Sequence, residues 1–393
     1  MKREDFEASP SGSLVPTERG QWAFVPRPLP PRLDLGPIAD VLAEAAQSLG
    51  ELNGIGRTLQ NPLLLITPLQ TQEALSSSSM EGTFTTIDAL MIVEAGGPDT
   101  DATLDTREVA NYRRALAEAV ASLPSLPLSV RTLCNAHHTL LSHVARHRGA
   151  TVRAGELKAH QNFIGARDIE HARFIPPPAR EAQAALGELE RYIHRDDRGG
   201  IPDLVDAALI HYQFETIHPF ADGNGRVGRM LIPLFLMARG AIKQPLLYLS
   251  PAIEDRKDDY VDLMFAVSRD GDWLRWIRFF LEAVTRACHA AIQTADRLFD
   301  LQRAYRQILQ GAGRSANVLS ILDHLFEAPV ISIPQVAERL GVTYRAASMN
   351  VTTLVEAGIL HDMAGTSNPK LFVARDILQT IKETADRDAR TPA

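Results

Sequence analysis

The sequence predicts an all-α protein whose helical core carries a small β-hairpin flap and is followed by a smaller C-terminal module. Three observations support this prediction. Apolar residues recur at helical spacing over most of the chain from Ile38 to about Ala290. A polar, glycine-containing stretch from Gly155 to Pro178 ends in three prolines, which excludes a helix and favours a hairpin. A separate pattern of two short helices begins at Ser315.

The elements of the helical part can be placed in chain order. Residues 1–34 are rich in proline, glycine and charge, which predicts an extended N-terminal arm before the first helix. The spacing of apolar residues then predicts helices over the following ranges, in addition to those around the central motif: Ile38–Leu49, Leu69–Met80, Thr106–Ala121, Ser129–Ala145 and Ala179–His194.

Composition and charge indicate a soluble globular protein of two or three domains. The chain has 393 residues, of which 45% are apolar and 23% are charged. Its formal net charge of −7 argues against broad electrostatic capture of nucleic acid. The longest apolar run, from Met230, is far shorter than the ~18 residues of a membrane span. The N-terminus lacks the apolar stretch of a secretory signal. We therefore expect a cytoplasmic protein in which Cys134 and Cys288 are free thiols.

One short stretch, HPFADGNGRVGR from His218 to Arg229, bears most directly on function. Its glycines have the G-x-G-x-x-G spacing of dinucleotide-binding loops, which follow a strand. The preceding residues 201–217 have the length and spacing of a helix instead. Downstream, an apolar segment around Pro245 and Leu249 stands where a ribose-binding acid would be needed. The motif therefore joins two helices, and a dinucleotide-binding fold is rejected.

The residue types of this stretch suit the handling of a polyphosphate. Glycines allow backbone N–H groups to approach an anion, and a helix N-terminus favours negative charge. Arg226 and Arg229 are three residues apart, so both are expected to reach the same phosphates. Asp222 would hold Mg²⁺ together with phosphate oxygens, and His218 can take a proton from an attacking hydroxyl. These features indicate phosphoryl or nucleotidyl transfer. The plain structural alternative is a glycine-rich loop with a histidine cap and solvent-facing arginines.

The stretch resembles, without a mismatch, the signature H-x-F-x-[DE]-G-N-G-R-x-x-R of the Fic family. Fic proteins have an all-helical core and mostly transfer AMP from ATP onto a hydroxyl side chain of a target protein. The resemblance implies a protein adenylyltransferase in which His218 is the catalytic base, Phe220 anchors the loop and Asp222 binds Mg²⁺. It also implies that the ATP phosphates are bound by Gly223, Asn224, Gly225, Arg226, Val227, Gly228 and Arg229.

Further blocks along the chain resemble one subgroup of this family, among them those that begin at Phe24, Gly155 and Gly271. That subgroup has an inhibitory helix before the Fic core and a winged-helix module after it. The resemblance therefore implies four regions: an extended N-terminal arm (1–34), an N-terminal helical region with the inhibitory motif (35–110), the Fic catalytic core (111–300) and a winged-helix-like domain (315–393).

The resemblance also bears on side chains outside the motif. In Fic proteins the flap pairs with the target segment, which implies target docking by Asn162, Phe163 and Ile164. Ordinary turn and packing roles are the alternative for these three residues. Tyr260 resembles a tyrosine that lines the nucleotide site, although Asp255 and Asp259 depart from the family pattern beside it.

The residues from Ser77 to Gly82 match the family's inhibitory pattern [ST]-x-x-x-E-[GN]. In a helix, Ser77 and Glu81 lie on one face and Gly82 ends the helix just beyond them. The resemblance implies that Glu81 pairs with Arg229 and keeps ATP from binding in a reactive position. A serine-rich connector is the alternative, because four consecutive serines have poor helix propensity.

The C-terminal segment from Ser315 to Val373 has the order helix, turn at Gly341, helix, and a wing-like stretch over residues 363–373. This order resembles a winged helix, a shape that commonly binds DNA. The second of its helices, Tyr344 to Val355, has Arg345 as its only basic side chain. DNA is therefore a disfavoured partner, and protein interaction or a structural cap is preferred.

The sequence leaves two further functions open beside AMP transfer. The same site can hydrolyse AMP from a modified protein, with water in place of the target hydroxyl. The chain can also be a winged-helix transcriptional regulator with a secondary Fic activity. The expected partners are ATP and a protein that offers a tyrosine, serine or threonine hydroxyl, and homodimerisation stays open.

Overall fold

The computed structural model describes residues 1–59, 61–97, 103–144, 152–311, 316–363 and 369–388. Helices dominate these ranges, so the all-α prediction is confirmed. The helices before the C-terminal module are α1 (Ala39–Thr58), α2 (Leu63–Ser79), α3 (Ile87–Glu94), α4 (Leu104–Ser122), α5 (Val130–Leu140), α6 (Ala179–Ile193), α7 (Asp203–Ile217), α8 (Asn224–Ala238), α9 (Ser250–Glu254), α10 (Lys257–Asp270) and α11 (Trp273–Gly311).

The pair α7 and α8 forms the centre of the fold and holds the motif between its two helices. Every residue of α7 from Leu204 to Ile217 is buried, as is every residue of α8 from Asn224 to Leu236. A helix that is buried on all sides has no polar face. This burial explains why the sequence around the motif is so apolar, and the prediction that the motif joins helix to helix is confirmed.

Several helices begin where a hydroxyl side chain can bind an otherwise unpaired backbone N–H group. The hydroxyl of Thr103 accepts a hydrogen bond from the backbone of Thr106 at the start of α4. Ser129 and Thr132 form a reciprocal capping box at the start of α5. These caps explain why α4 and α5 begin within two residues of the predicted starts. The predicted end of the second of these helices, Ala145, lies outside the described residues.

The N-terminal segment, predicted to be an extended arm, contains a β-hairpin. Strands β1 (Gly12–Pro16) and β2 (Trp22–Pro26) pair antiparallel in this hairpin. Phe24 on β2 is fully buried against Phe6 and Phe174, and its backbone N–H donates to the carbonyl of Ile175 at 2.9 Å. The hairpin is stabilised by contacts with residues some 150 positions away, which the local composition could not indicate.

The predicted flap is less regular than a hairpin. Between Gly155 and Pro178, the described backbone contains one antiparallel bridge, which joins Ile164 to Phe174. Some other backbone groups of this segment form hydrogen bonds outside it. The N–H of Lys158, for example, donates to the carbonyl of Pro219 at 2.8 Å. The flap is therefore an irregular loop that is hydrogen-bonded to the motif.

The C-terminal module contains four helices and a three-stranded antiparallel sheet of order β3-β5-β4. The predicted wing includes residues 364–368, which lie outside the described residues, and the winged-helix assignment stays a prediction. The elements in chain order are α12 (Ala316–Leu325), β3 (Val330–Ser332), α13 (Ile333–Leu340), α14 (Tyr344–Glu356), β4 (His361–Asp362), β5 (Leu371–Val373) and α15 (Arg375–Asp388).

This module packs directly on the helical core. The side-chain amide of Gln72 on α2 donates to the carbonyl of Ile381 on α15 at 2.7 Å. Lys382 on α15 forms a 2.6 Å ion pair with Asp88 on α3. One hydrophobic core extends from the first helix into α15. Within the ranges given above, no helix is both long enough and apolar enough to cross a bilayer.

DNA binding by the C-terminal module is expected to be weak. The outward face of α14 presents apolar side chains, with Tyr344 exposed to 59% and Met349 to 66%, and Arg345 is its only cation. A gel shift at low salt with genomic fragments, including the gene's own promoter, should show weak or no retention. Tight, sequence-selective retention would contradict this expectation and favour the regulator hypothesis.

Candidate active site

The predicted base, His218, stands directly after α7, at the point where the helix ends. Its φ and ψ angles of 49° and 60° are left-handed, which is uncommon for a residue other than glycine. Nδ1 lies 3.2 Å from the carbonyl oxygen of Glu215. A carbonyl can only accept, so Nδ1 carries the proton and Nε2 is left as the basic nitrogen. Burial, followed by the nearby charge of Lys158, lowers the pKa of His218 to about 4. The ring is therefore neutral at pH 7, as a general base must be.

The loop after His218 is closed by Asn224 and Phe220. The Asn224 side chain accepts from the Phe220 N–H at 2.8 Å and donates to the Phe220 carbonyl at 2.9 Å. Phe220 is fully buried and stacks on His137 with ring centroids 3.9 Å apart. Phe220 thus anchors the loop as predicted. The side chain of Asn224 closes the loop, and the predicted part of this residue in the anion cradle stays a prediction.

A cavity of about 260 Å³ opens beside His218. Of the predicted nucleotide-binding residues, its wall includes Gly225, Arg229 and Tyr260. A Cβ atom on Gly225 would collide with a carboxylate oxygen of Glu81, so this glycine permits the carboxylate to approach the helix N-terminus. The other wall residues are Met80, Glu81, Ile164, Arg173, Phe174, Glu215, Thr216, Lys257, Val261, Met264, Phe265 and Ser268.

Arg229 is bound by the end of α2. Its Nε donates to the hydroxyl of Ser77, and its Nη2 donates both to the Ser77 carbonyl and to a carboxylate oxygen of Glu81, each at 2.8 Å. Burial alone would raise the pKa of Glu81, but the charge and hydrogen bond of Arg229 outweigh it and lower that pKa. The predicted contact between Glu81 and Arg229 is thus present as an ion pair. The helix ends at Ser79, so Glu81 lies in the turn after it, and Gly82 has the expected positive φ of 78°.

Arg226 does not share this environment, contrary to the prediction that both arginines bind the same phosphates. It is fully buried and pairs with Glu108 on α4. The two arginines are three residues apart in α8, but their long side chains extend in different directions. Arg226 extends towards α4 and Arg229 towards α2. Val227 between them is fully buried in the core. Its side chain therefore has a packing role.

Asp222 is the one carboxylate of the signature loop and is partly exposed. One of its oxygens accepts the N–H of Gly223 at 2.7 Å, and Gly223 has a φ of 78°. Mg²⁺ is commonly held by one or two carboxylates together with substrate phosphates. Asp222 is not among the residues of the cavity wall, but it follows His218 by four positions, and its hard oxygen donors are of the kind that Mg²⁺ prefers.

The flap residues contact the signature loop in a way that the sequence analysis missed. The ammonium of Lys158 donates to the Asn162 side chain at 2.7 Å and is 3.4 Å from the Ile217 carbonyl. Asn162 in turn donates to the carbonyls of His218 and Phe220, at 3.1 and 2.9 Å. The Asn162 side chain therefore holds the signature loop, and its predicted role in target docking stays a prediction. Burial lowers the pKa of Lys158 to about 7.

The two other predicted docking residues have different surroundings. Phe163 packs in a small cluster with Ala172 and Ile175. Ile164 borders the cavity, so of the three it is the one best placed to meet a target segment. No spacing rule indicates the contact of Lys158 with Asn162, because the four-residue rule applies to helices and this segment is a loop.

Tyr260 lines the cavity with its ring and is only 4% exposed. Its hydroxyl lies 2.9 Å from Nε2 of His211, whose Nδ1 is 3.0 Å from the Gly228 carbonyl. Because that carbonyl can only accept, Nδ1 donates and the tyrosine hydroxyl donates to Nε2. The aromatic face is therefore the part of Tyr260 available to a nucleotide, and its hydroxyl supports α8.

Comparison of the sequence with known proteins identifies relatives of this chain. Residues 39–121 match the family model described as Fic/DOC family N-terminal, and residues 127–236 match that of the Fic/DOC family. The chain is 28% identical over 115 residues to the protein adenylyltransferase Fic of Drosophila sechellia, which covers 29% of this chain and 21% of that protein. For the same protein of Drosophila virilis, the identity is 22% over 215 residues, covering 54% and 39%.

The fold also resembles solved structures. A Fic family protein from Desulfovibrio desulfuricans superimposes with a TM-score of 0.57 at 20% identity, covering 88% of this chain and 98% of the other. This likeness concerns the fold. The chain spans well under half the length of the curated relatives it matches. The complete signature, the two matching family models and the shared helical fold lead to one conclusion: the chain belongs to the Fic family.

Proposed function

We propose that this protein is an adenylyltransferase that transfers AMP from ATP to a tyrosine, serine or threonine hydroxyl of a target protein or of itself. The observation that carries the proposal is that His218 and Arg229 line the same cavity. A neutral base and a buried cation therefore border the same space. The curated relatives named protein adenylyltransferase support the same reaction.

The reaction follows from the roles of these side chains. Nε2 of His218 takes the proton of the target hydroxyl, and the oxygen attacks the α-phosphate of ATP. The new bond joins this oxygen to phosphorus, while the bond to the β-phosphate breaks and pyrophosphate leaves with its electron pair. Arg229 and the N-terminus of α8 stabilise the negative charge on the departing group. Asp222 would hold Mg²⁺, which supplies further neutralisation of phosphate charge when bound.

The ion pair between Glu81 and Arg229 supports a brake on this reaction. Arg229 already donates three hydrogen bonds, two to Ser77 and one to Glu81. A terminal phosphate of ATP would need the same guanidinium group, and the Glu81 carboxylate would repel it. In the braked state, we propose that ATP binds with its α-phosphate displaced from His218. Movement of the turn that follows α2 would release Arg229.

Removal of the metal-binding carboxylate is expected to lower activity sharply. Asp222→Ala should reduce Mg²⁺-dependent AMP transfer, because no other carboxylate belongs to the signature loop. The measurement is the rate of transfer at increasing Mg²⁺ concentration, with Asp222→Asn as the matched control that keeps the side-chain size. Undiminished transfer in the presence of EDTA would refute a metal-dependent reaction.

Removal of AMP from a modified protein is the second candidate function. It is favoured by the position of Glu81, whose ionised carboxylate lines the same cavity as His218 and could orient a water molecule. Two incubations separate the reactions. Purified protein with labelled ATP should label itself or a target, whereas an AMP-modified protein should lose its AMP if hydrolysis dominates. Labelling from ATP without AMP loss supports transfer, and the reverse result would replace it.

A further inference from the structure

Glu215 is a buried carboxyl group in the cavity that neither the signature nor the proposed reaction uses. It lies on the last turn of α7, three residues before His218, and its side chain lines the cavity wall. The residue is only 8% exposed. One carboxyl oxygen, Oε1, has no hydrogen-bond partner among the residues that the structure describes. A buried polar atom without a partner is costly, which indicates that a ligand completes its bonding.

The neighbouring helix α8 is shaped around this side chain. A Cβ atom on Gly228 would collide with Oε1 of Glu215. The third glycine of the motif therefore makes room for a carboxyl group, and its predicted contribution to the phosphate cradle stays a prediction. Any larger residue at position 228 would therefore displace the Glu215 side chain from the place it occupies here.

The charges around Glu215 decide its protonation. Arg229 is near enough to lower the pKa of Glu215, but it is already engaged by Glu81, whose own negative charge acts in the opposite direction. Burial is the largest effect, and the pKa of Glu215 rises to about 8. The group is thus a neutral carboxylic acid at pH 7. The other titratable or charged side chains on the cavity wall are His218 after α7, Lys257 and Tyr260 on α10, and Arg173 in the flap.

We propose that Glu215 contacts the bound nucleotide as a neutral carboxyl group and donates a hydrogen bond to it. This inference rests on the proposed function, since it takes ATP to be the occupant of the cavity. A neutral carboxyl group can donate to a phosphate or another acceptor, whereas an ionised one would repel the polyphosphate. The negative charge of ATP also favours the protonated form, so binding and protonation support each other.

The consequence is nucleotide binding that weakens as pH rises. Glu215 is neutral below its pKa of about 8 and charged above it. If only the neutral form binds, about a tenth of the protein is competent one pH unit above the pKa, and affinity falls by about tenfold. Glutamine has the size of glutamate and can donate, but it does not titrate. Leucine fills similar space and cannot donate.

The test is a calorimetric titration with Mg²⁺ and ATP between pH 7 and pH 9, in a parent protein that keeps Glu81, because the charge of Glu81 contributes to the raised pKa of Glu215. At pH 7 the parent and Glu215→Gln should bind alike, whereas Glu215→Leu should bind about three- to tenfold more weakly. At pH 9 the affinity of the parent for ATP should be about tenfold lower than that of Glu215→Gln. The comparison is made at one pH, so the effects of other titrating groups cancel. Equal affinities of all three proteins at both pH values would overturn the inference.

A second measurement uses the unchanged protein and does not depend on variants that fold. Carboxyl ¹³C resonances followed by NMR should show one buried glutamate that titrates near pH 8, with a midpoint that rises when ATP is added. A midpoint that stays the same or falls would overturn the contact. Normal AMP transfer by Glu215→Leu with unchanged ATP affinity would overturn this inference alone. Absence of ATP binding by every protein would overturn the proposed function as well.

Discussion

Replacement of His218 by alanine is expected to lower the rate of AMP transfer by about 10²- to 10⁴-fold, the usual effect of losing a general base. The ring is neutral and carries its proton on Nδ1, so Nε2 is free to accept the proton of the target hydroxyl. The rate should be measured by label transfer from ATP under single-turnover conditions, so that binding and chemistry are separated.

ATP binding provides the control for this variant. His218 lies at the cavity wall, but the cation that we propose for the phosphates is Arg229, so the dissociation constant for ATP should change by no more than a few-fold. A transfer rate near that of the unchanged protein would remove His218 from the mechanism. Loss of ATP binding in parallel with activity would mean that the alanine has disturbed the loop that Asn162 holds.

Replacement of Glu81 by glycine is expected to raise the rate of AMP transfer by at least about tenfold, because it frees Arg229 from a charge-assisted hydrogen bond of the stronger class. The gain should disappear when Arg229→Ala is added, since the released guanidinium group is what the terminal phosphate needs. Initial rates of the two single variants, the double variant and the parent form a complete cycle.

Glu81→Gln is the matched control for the brake. It keeps the size of the side chain and removes its charge, so it should release the brake only in part. An unchanged or reduced rate for Glu81→Gly would contradict the brake. In that case the carboxylate is better explained as the group that orients water in AMP removal.

The parts of the site that the sequence predicted correctly are those fixed by short-range geometry. The spacing of His218 and Phe220 within the loop, and the helices on either side, follow from residues close together in the chain. The contact between Glu81 and Arg229 is long-range, but the family resemblance supplied it.

The parts that it missed depend on where long side chains extend and on contacts between distant segments. Helical spacing puts Arg226 and Arg229 on neighbouring positions, yet only the packing of α4 determines that Arg226 meets Glu108. The β1–β2 hairpin likewise depends on residues far away in sequence, as do the hydrogen bonds of Asn162 to the carbonyls of His218 and Phe220. The effect of burial on Glu215 could not be read from the sequence, because it depends on the packing that buries this helix on all sides.

The most direct test of AMP transfer compares ATP labelled at the α-phosphate with ATP labelled at the γ-phosphate, each incubated with the Glu81→Gly protein and Mg²⁺. Transfer of AMP retains the α-phosphate on protein and releases the γ-phosphate in pyrophosphate. The account therefore predicts protein labelling from the α-labelled nucleotide alone, and its loss when His218→Ala is added. Labelling from the γ-phosphate, or no labelling from either nucleotide, would contradict it.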